Sequence, residues 1–513
     1  SPCRFEIEGA YDEVYTAVPE PGWIHDAWER CQTPVANQCR FDISADVVTD
    51  FSGAEIPGAV ARFRRPIEPL FRDGSDRFVT PEGNAGTQLR WLLNELPKSQ
   101  TTIEEIRARF SSDFLQSIPA NEIQQAIDNL RASVPDPEIS DLIIATPIRV
   151  SVIIHNRGSS ETGFSVALGA GYTEDAQITS FAIRAGFPRN GTNVRSEDRE
   201  LNFAQLDEIL QGLADKTSMY VARIENDQCQ AIYQRNSSEP LLIASIYKLW
   251  ILGALGREIE AGNINPEERL PLAGKDVVNA GAPINSEDLG TQLSIRDLAN
   301  LMIGLSDNTA TDHVARRVGR ENLEQTLQVF GHSNRDRMLP FLRANELRNL
   351  HFSIPPETAR DYLNGSNSQQ RSILVNEIVP LGPFITGDFN NLLFSINAAW
   401  SASGQDVCKA YAGLRRFDNR SAEFDLVANA AGASSVFLGT RNRWDRVWQK
   451  GGSHSAGTGD RFVLTLSWLL ESDSKGAFVV VLMANNENLR TIEDSSRMFS
   501  LAARAERLLA ERF

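Results

Sequence analysis

The sequence lacks the features that would place it among membrane-spanning or nucleic-acid-binding proteins. No apolar run approaches the roughly 18 residues that a helix needs to cross a bilayer, so we expect no membrane span. Basic residues are outnumbered: 51 Lys and Arg stand against 67 Asp and Glu, which gives a net charge of −16 at pH 7. Because phosphate binding needs clustered Lys and Arg, we expect no nucleic-acid partner.

Cysteine and histidine are also scarce, with five and six residues in 513. They show neither a Cys-x-x-Cys motif nor a paired Cys/His spacing, so we predict no bound metal and no cofactor. A Cys31–Cys39 disulfide suits an exported protein, with Cys3 as a competing partner and five reduced, buried cysteines as the alternative. The chain starts with Ser1 rather than Met, which is typical of a removed leader. We therefore expect export to the periplasm, the cell envelope or the extracellular space.

A chain of 513 residues is too long for one hydrophobic core, and its pattern changes twice. Residues 1–80 show no sustained period, which predicts an irregular N-terminal extension. Residues 81–202 begin with three amphipathic helical segments and continue with three strand-like runs, an α+β arrangement compatible with a cone-shaped sheet wrapped on helices. The pattern of residues 203–513 predicts an amphipathic helix, two strands, a long helical insertion, three more strands and a terminal helix.

The most informative motif is Ser245-Ile246-Tyr247-Lys248, in the run LLIASIYKLWILGAL, which is typical of a strand end entering a helix. Positions three apart share a helix face, so the Lys248 amine can reach the Ser245 hydroxyl. A serine hydroxyl becomes a good nucleophile when a neighbouring base removes its proton. The helix N-terminus adds free backbone N–H groups where an oxyanion would develop.

Two further motifs follow in order. Ser306-Asp307-Asn308 lies 61 residues after Ser245, and Lys450-Gly451-Gly452-Ser453 opens a strand-like segment. Taken alone, the first could be a helix N-cap and the second a hairpin turn. Ser-x-x-Lys, then Ser-Asp-Asn, then a lysine–glycine motif is the signature set of class A β-lactamases and penicillin-binding proteins. Because all three motifs occur together and in this order, we favour a catalytic interpretation.

On these motifs, residues 203–513 resemble the class A β-lactamase-like serine hydrolases. The lysine–glycine–glycine–serine run and the run MLPFLRANELRNL resemble the branch with an extra N-terminal domain, typified by the β-lactamase-like protein of clavulanic acid gene clusters. The resemblance implies a multidomain α+β protein. Its C-terminal part would be a β-lactamase-like α/β sandwich with a helical subdomain, preceded over residues 81–202 by a small α+β domain of the steroid-isomerase or polyketide-cyclase type.

The resemblance also implies roles for individual residues. Ser245 would be the nucleophile and Lys248 its base, while Ser306 and Lys450 would deliver a proton to the leaving group. The backbone N–H groups of Ser245 and Ser453 would form the oxyanion hole.

Substrate contacts are expected from residues on two of the motifs and just beyond them. They are Asn308, Gly452, Ser453 and His454.

Two departures from the family pattern affect what the site can do. Gly451 stands where the family has a hydroxyl residue that binds a substrate carboxylate, although Ser453 could compensate. The class A enzymes use a loop glutamate to activate the deacylating water. Glu346 is the nearest candidate, and the alternative is that it is an acid in the first turn of a helix.

The predicted function is therefore that of a serine hydrolase forming an acyl-enzyme on Ser245. Its substrate would be a small molecule: a β-lactam, an ester or a peptide-like amide. The alternative is a catalytically weak or inactive ligand- or penicillin-binding module on the same scaffold, which would bind ligand without forming a covalent adduct.

Overall fold

The chain divides into two compact units, Ser1–Glu68 and Pro69–Phe513. The predicted boundary at residues 202–203 lies inside the second unit and stays a prediction. The computed structural model describes residues 11–19, 23–43, 60–64, 66–159, 162–173, 176–278, 283–284, 288–384, 387–455 and 460–513.

The first unit is built of short antiparallel strands, which pair in the orders β1-β4-β3 and β2-β5. The prediction of an irregular extension over residues 1–80 is wrong for these strands, because acidic residues such as Asp12 and Asp42, which are uncommon in strands, obscure the alternation; residues 66–80 are irregular as predicted. A disulfide joins Cys31 to Cys39, which confirms that predicted pairing; Cys3 lies outside the described residues. The strands are β1 Tyr11–Thr16, β2 Ile24–Glu29, β3 Thr33–Val35, β4 Gln38–Ile43 and β5 Val60–Arg64.

Residues 84–187 form four helices and an antiparallel meander in the order β6-β7-β8-β9. The apolar faces of the helices pack on this sheet, and the three predicted helices are confirmed. The apolar run 141–156 is two strands rather than one, because a turn at Pro147 folds it into a hairpin. The resemblance to a steroid-isomerase-like domain stays a prediction. The elements are α1 Asn84–Glu95, α2 Ile103–Arg109, α3 Ser112–Ser117, α4 Ala120–Ser133, β6 Pro137–Thr146, β7 Arg149–Asn156, β8 Gly163–Ala170 and β9 Ile178–Phe187.

A five-stranded antiparallel sheet organises residues 203–513, in the order β11-β10-β18-β17-β16. All five strands were predicted and are confirmed. The inner strands β17 and β18 are buried almost throughout, which explains why both of their faces are apolar. The strands are β10 Lys216–Glu225, β11 Gln228–Arg235, β12 Leu241–Leu242, β13 Arg269–Pro271, β14 Gln292–Ser294, β15 Ser401–Ala402, β16 Arg446–Ser455, β17 Arg461–Ser472 and β18 Gly476–Asn485.

Helices cover both faces of this sheet. Two of them, α5 Phe203–Gln211 and α16 Ser495–Arg512, pack on one face, and the helical insertion packs on the other. No helix in the described part of the chain is long and apolar enough to cross a membrane. The helices of the insertion are α6 Lys248–Glu260, α7 Ile295–Gly304, α8 Asn308–Val318, α9 Arg320–Val329, α10 Ala344–Phe352, α11 Pro356–Asn364, α12 Asn367–Ile373, α13 Leu392–Ser395, α14 Gly404–Arg415 and α15 Ala422–Ala431.

A second disulfide joins Cys229 on β11 to Cys408 on α14, across 179 residues of sequence. This pairing could not be predicted from the sequence, because the two cysteines are far apart in the chain. The bond links the sheet directly to the helical insertion, which also contains the helix that follows the nucleophile motif.

Candidate active site

The Ser245 motif occupies a tight turn between a short strand and a buried helix. Residues 244–247 form a turn of 3₁₀-helix, and α6 begins at Lys248. Ala244 has a φ of 45°, a left-handed conformation that costs energy in a residue other than glycine and is common beside functional groups. Ser245 itself is half-buried, so its hydroxyl is accessible from the cleft.

Strand β16 lies directly against this turn. A Cβ placed on Gly452 would lie 2.2 Å from Ile243 O and 2.8 Å from Ser245 N, so only glycine fits here. Because β16 is the last strand of its sheet, one of its backbone edges is open toward the turn. Strand β16 therefore contacts the Ser245 turn at Gly452, and an oxyanion hole formed by the N–H groups of Ser245 and Ser453 stays a prediction.

Lys248 is fully buried, and its amine contacts the second motif. Its Nζ donates to Ser306 O at 2.7 Å and to Asn308 Oδ1 at 2.8 Å, with Ser306 Oγ at 3.3 Å. Burial lowers the pKa of Lys248 from 10.5 to about 7, against the opposing charges of Asp307 and Asp312. The Lys248 amine can therefore change its protonation state near neutral pH.

The predicted hydrogen bond between Ser245 and Lys248 is not present among the described residues. The amine is instead directed at the loop before α8. Catalytic hydrogen bonds often tighten only when substrate binds, so this geometry leaves the role of Lys248 open as a prediction.

Ser306 links the second motif to the third. Lys450 Nζ donates to Ser306 Oγ at 2.9 Å and to Gly451 O at 2.7 Å. Burial and then the charge of Lys248 hold the pKa of the Lys450 amine well below its usual value. The hydroxyl of Ser306 thus lies between two lysine amines that both lose protons easily.

The N-cap interpretation of the second motif is also confirmed, and Asp307 is the capping residue. Asp307 caps α8 by accepting from Ala310 N at 2.7 Å, and its other oxygen accepts from Ile284 N at 2.9 Å. Capping leaves the flanking Ser306 and Asn308 free to contact the lysines.

Glu346 is not brought into contact with the motif residues. It is 1% exposed, and its carboxylate accepts from Arg343 N at 2.8 Å, from Arg343 Nε at 3.0 Å and from Arg320 at 2.7 Å. Burial would raise its pKa, but the two arginines hold that pKa below its usual value. This carboxylate is a stabilised anion in the first turn of α10.

His454 and Ser453 lie near the C-terminal end of β16. Ser453 is exposed, whereas His454 stacks on Phe462 with ring centroids 6.0 Å apart. Burial, followed by the charge of Arg348, lowers the pKa of His454 to about 4, so the imidazole is neutral at pH 7.

The sequence interpretation missed Asp312. It is fully buried and accepts from Ala344 N and Asn345 N, both at 2.8 Å, so α8 holds the N-terminus of α10. Burial raises the pKa of Asp312 to about 7. Its position four residues after Asn308, on the same helix face, was an available signal.

Tyr172, from the β8–β9 connection, was also missed. Its hydroxyl is buried without a hydrogen-bond partner among the described residues. Burial raises the pKa of Tyr172, and the charges of Asp307 and Asp288 raise it further. The middle part of the chain therefore contributes a side chain near the second motif.

The described residues contain no group of three or more His, Cys, Asp or Glu side chains that could hold a metal ion. The described groups at this site are serine hydroxyls, two lysine amines with lowered pKa values and backbone N–H groups.

Comparisons with known proteins match parts of the chain. Residues 80–136 match the family model described as ORF 12 gene product N-terminal. None of the curated protein sequences compared with the chain matches it.

Several solved structures are similar to about three-fifths of the chain. A beta-lactamase from Chitinophaga pinensis DSM 2588 is 14% identical with a TM-score of 0.42, covering 60% of this chain and 97% of that one. The beta-lactamase from Francisella tularensis is 18% identical with a TM-score of 0.40, covering 60% and 98%. That of Sphaerobacter thermophilus DSM 20745 is 15% identical with a TM-score of 0.40, covering 61% and 99%. Residues 203–367, which carry the first two motifs, match the model of the beta-lactamase enzyme family, and this segment is therefore β-lactamase-like.

Proposed function

We propose that this protein is a serine hydrolase that forms an acyl-enzyme on Ser245 with a β-lactam, an ester or an amide. The observation that carries the proposal is the convergence of all three motifs on Ser306, whose hydroxyl accepts from both Lys248 and Lys450. Two buried amines with lowered pKa values suit proton transfer near neutral pH. An ordinary structural role would not bring two lysines to one hydroxyl.

Acylation would involve three proton transfers. Neutral Lys248 takes the proton of Ser245 as the serine oxygen bonds to the substrate carbonyl carbon. The carbonyl oxygen becomes an oxyanion, held by the N–H groups of Ser245 and Ser453. The bond to the leaving group then breaks, and Ser306 gives its proton to that group and is reprotonated by Lys248 or Lys450.

Deacylation would be slow. The oxygens of Glu346 are engaged by Arg320 and Arg343, so this carboxylate is poorly placed to activate water. We therefore propose a long-lived acyl-enzyme, as in a penicillin-binding protein or a slow esterase. The deacylating role of Glu346 is the less favoured hypothesis.

The alternative function is a weakly active or inactive ligand-binding module. The absent hydrogen bond between Ser245 and Lys248 favours it. The lowered pKa of Lys248 argues against it, because a binding module gains nothing from a base that titrates near pH 7.

Pre-steady-state kinetics separates these functions. With 4-nitrophenyl acetate and with a chromogenic cephalosporin, we expect a burst of about one product per protein, followed by slow turnover. Ser245→Ala should abolish both phases. Ligand binding without a burst would support the binding module, and equal turnover by Ser245→Ala would refute the proposal.

We also propose that the protein is exported, because two disulfides suit an oxidising compartment. The match of residues 80–136 supports a branch with an extra N-terminal domain. The partner would be a small-molecule substrate.

A further inference from the structure

A second polar cluster lies where α10 meets the end of β16. Arg348 and His351 are three residues apart on one face of α10, and His454 comes from β16. The Arg348 guanidinium stands 5.2 Å from the centroid of the Phe384 ring. Burial lowers the pKa of His351 most, and the charges of His454 and Arg348 lower it further, so the three side chains lie within electrostatic range of one another.

Arg348 has no anionic partner among the described residues. It makes neither a hydrogen bond nor an ion pair there, whereas Arg343 and Arg320 share Glu346. The residue is half-buried, and burial lowers its pKa. A desolvated cation without an anionic partner is costly, so such a group is expected to meet an anion from elsewhere.

The two histidines leave further polar atoms unsatisfied. The Nε2 atoms of His351 and His454 are buried without a hydrogen-bond partner in the described structure. His351 is 4% exposed, and its Nδ1 is already bonded to Ser395 Oγ at 2.7 Å. Because buried polar atoms are nearly always paired, two orphaned nitrogens beside an unpaired guanidinium indicate a missing polar ligand.

His454 and Lys450 lie on opposite sides of Gly452 along β16. Lys450, Gly452 and His454 alternate along β16 and therefore face the same way, with about 13 Å between the first and the last at 3.3 Å per residue. Gly452, between them, touches the Ser245 turn. The Lys450 end contacts Ser306, which would protonate the leaving group. The His454 end is then left for the acyl half of the substrate.

We propose that Arg348, assisted by His351 and His454, binds a carboxylate on the acyl half of the substrate. The substrates would be half-esters or half-amides of dicarboxylic acids, or lactams with an acidic acyl side chain. This inference rests on the proposed function, and it makes Arg348 a specificity-determining residue.

The test compares 4-nitrophenyl esters of adipic and pimelic acid, with the second carboxyl either free or capped as a methyl ester. In the wild type, kcat/KM should be about 10- to 100-fold higher for the free carboxylates, the usual worth of a charge-assisted hydrogen bond. Arg348→Gln should bring this ratio close to one, and Arg348→Lys should retain part of it. Arg360→Gln is the matched control, because Arg360 also stands over an aromatic ring, 4.9 Å from the centroid of Phe394. It should leave the ratio unchanged.

The outcomes are distinguishable. A wild-type ratio of one or less for both chain lengths would overturn the inference, and so would an undiminished ratio in Arg348→Gln. The wild-type ratio and the Arg348→Lys variant decide the matter even if Arg348→Gln does not fold. Turnover of both ester forms at equal rates would leave the acyl-enzyme proposal intact. The absence of turnover and of any adduct would refute both proposals.

Discussion

The substitution Asn308→Asp tests whether Lys248 acts as the base. Asn308 Oδ1 accepts from Lys248 Nζ at 2.8 Å, so the change replaces a neutral acceptor with a carboxylate of the same shape. The pKa of Lys248 lies at about 7 instead of 10.5, and at 1.36 kcal/mol per unit the protein destabilises the charged amine by about 5 kcal/mol. A carboxylate beside the amine would stabilise the charged form of Lys248 and raise its pKa again.

The magnitude follows from the distance. An opposite charge in contact shifts a pKa by about 1 to 3 units, which would move Lys248 to about 8 to 10. At pH 7 the neutral fraction would then fall from about one half to between one tenth and one thousandth, and the acylation rate should fall about 5- to 500-fold. Raising the pH should restore the rate.

The assay is the burst rate with 4-nitrophenyl acetate between pH 5 and pH 10. In the wild type, the rate should rise with pH and level off above about pH 7, because Lys248 accepts a proton only when neutral. Asn308→Asp should shift this rise to higher pH, whereas Asn308→Ala should lower the rate without a comparable alkaline shift. An unshifted profile in Asn308→Asp, or a rate that high pH does not restore, would refute the assignment of Lys248 as base.

Three further predictions concern the scaffold of the site. Gly452→Ala should lower the burst rate about 100-fold by displacing the nucleophile turn, because its Cβ would lie 2.2 Å from a carbonyl oxygen of that turn. Gly451→Ala, whose nearest contact is a side-chain amide at 3.3 Å, should keep most of the wild-type rate; equal losses would contradict this. Glu346→Gln should lower the free energy of unfolding in urea at pH 7 by about 3 to 5 kcal/mol, with an unchanged acyl-enzyme lifetime. Because the folded pKa of this group is depressed, the loss should be full above pH 4.5 and fade on acidification, and a tenfold longer lifetime would instead identify it as the deacylating base. Replacing Cys229 and Cys408 together by serine should cost about 2 to 5 kcal/mol in the same assay, and an unchanged midpoint would show that the bond does not constrain the unfolded chain.

The sequence was sufficient to predict the parts of the site that depend on local order. Ser245, Ser306 and Lys450 could be chosen because three short motifs follow one another in a known sequence. Alternating and continuous apolar runs likewise predicted the five strands of the main sheet, since burial on one face or both leaves a direct pattern.

Contacts between distant segments could not be predicted in the same way. The carboxylate of Asp312 and the unpaired guanidinium of Arg348 acquire meaning only when α8, α10 and β16 are packed together. Glu346 shows the opposite case. Its position suggested catalysis, but two arginines that are unremarkable in the sequence determine what its carboxylate contacts.

The most direct test of the acyl-enzyme proposal is to locate the adduct. The protein is incubated with benzylpenicillin, quenched in acid, digested and analysed by mass spectrometry. We predict that the peptide containing Ser245 gains the full mass of the drug, because ring opening releases no fragment, and that Ser245→Ala gains nothing. An adduct on another residue, an equal adduct in Ser245→Ala, or consumption of the drug without any adduct on Ser245 would contradict the proposal.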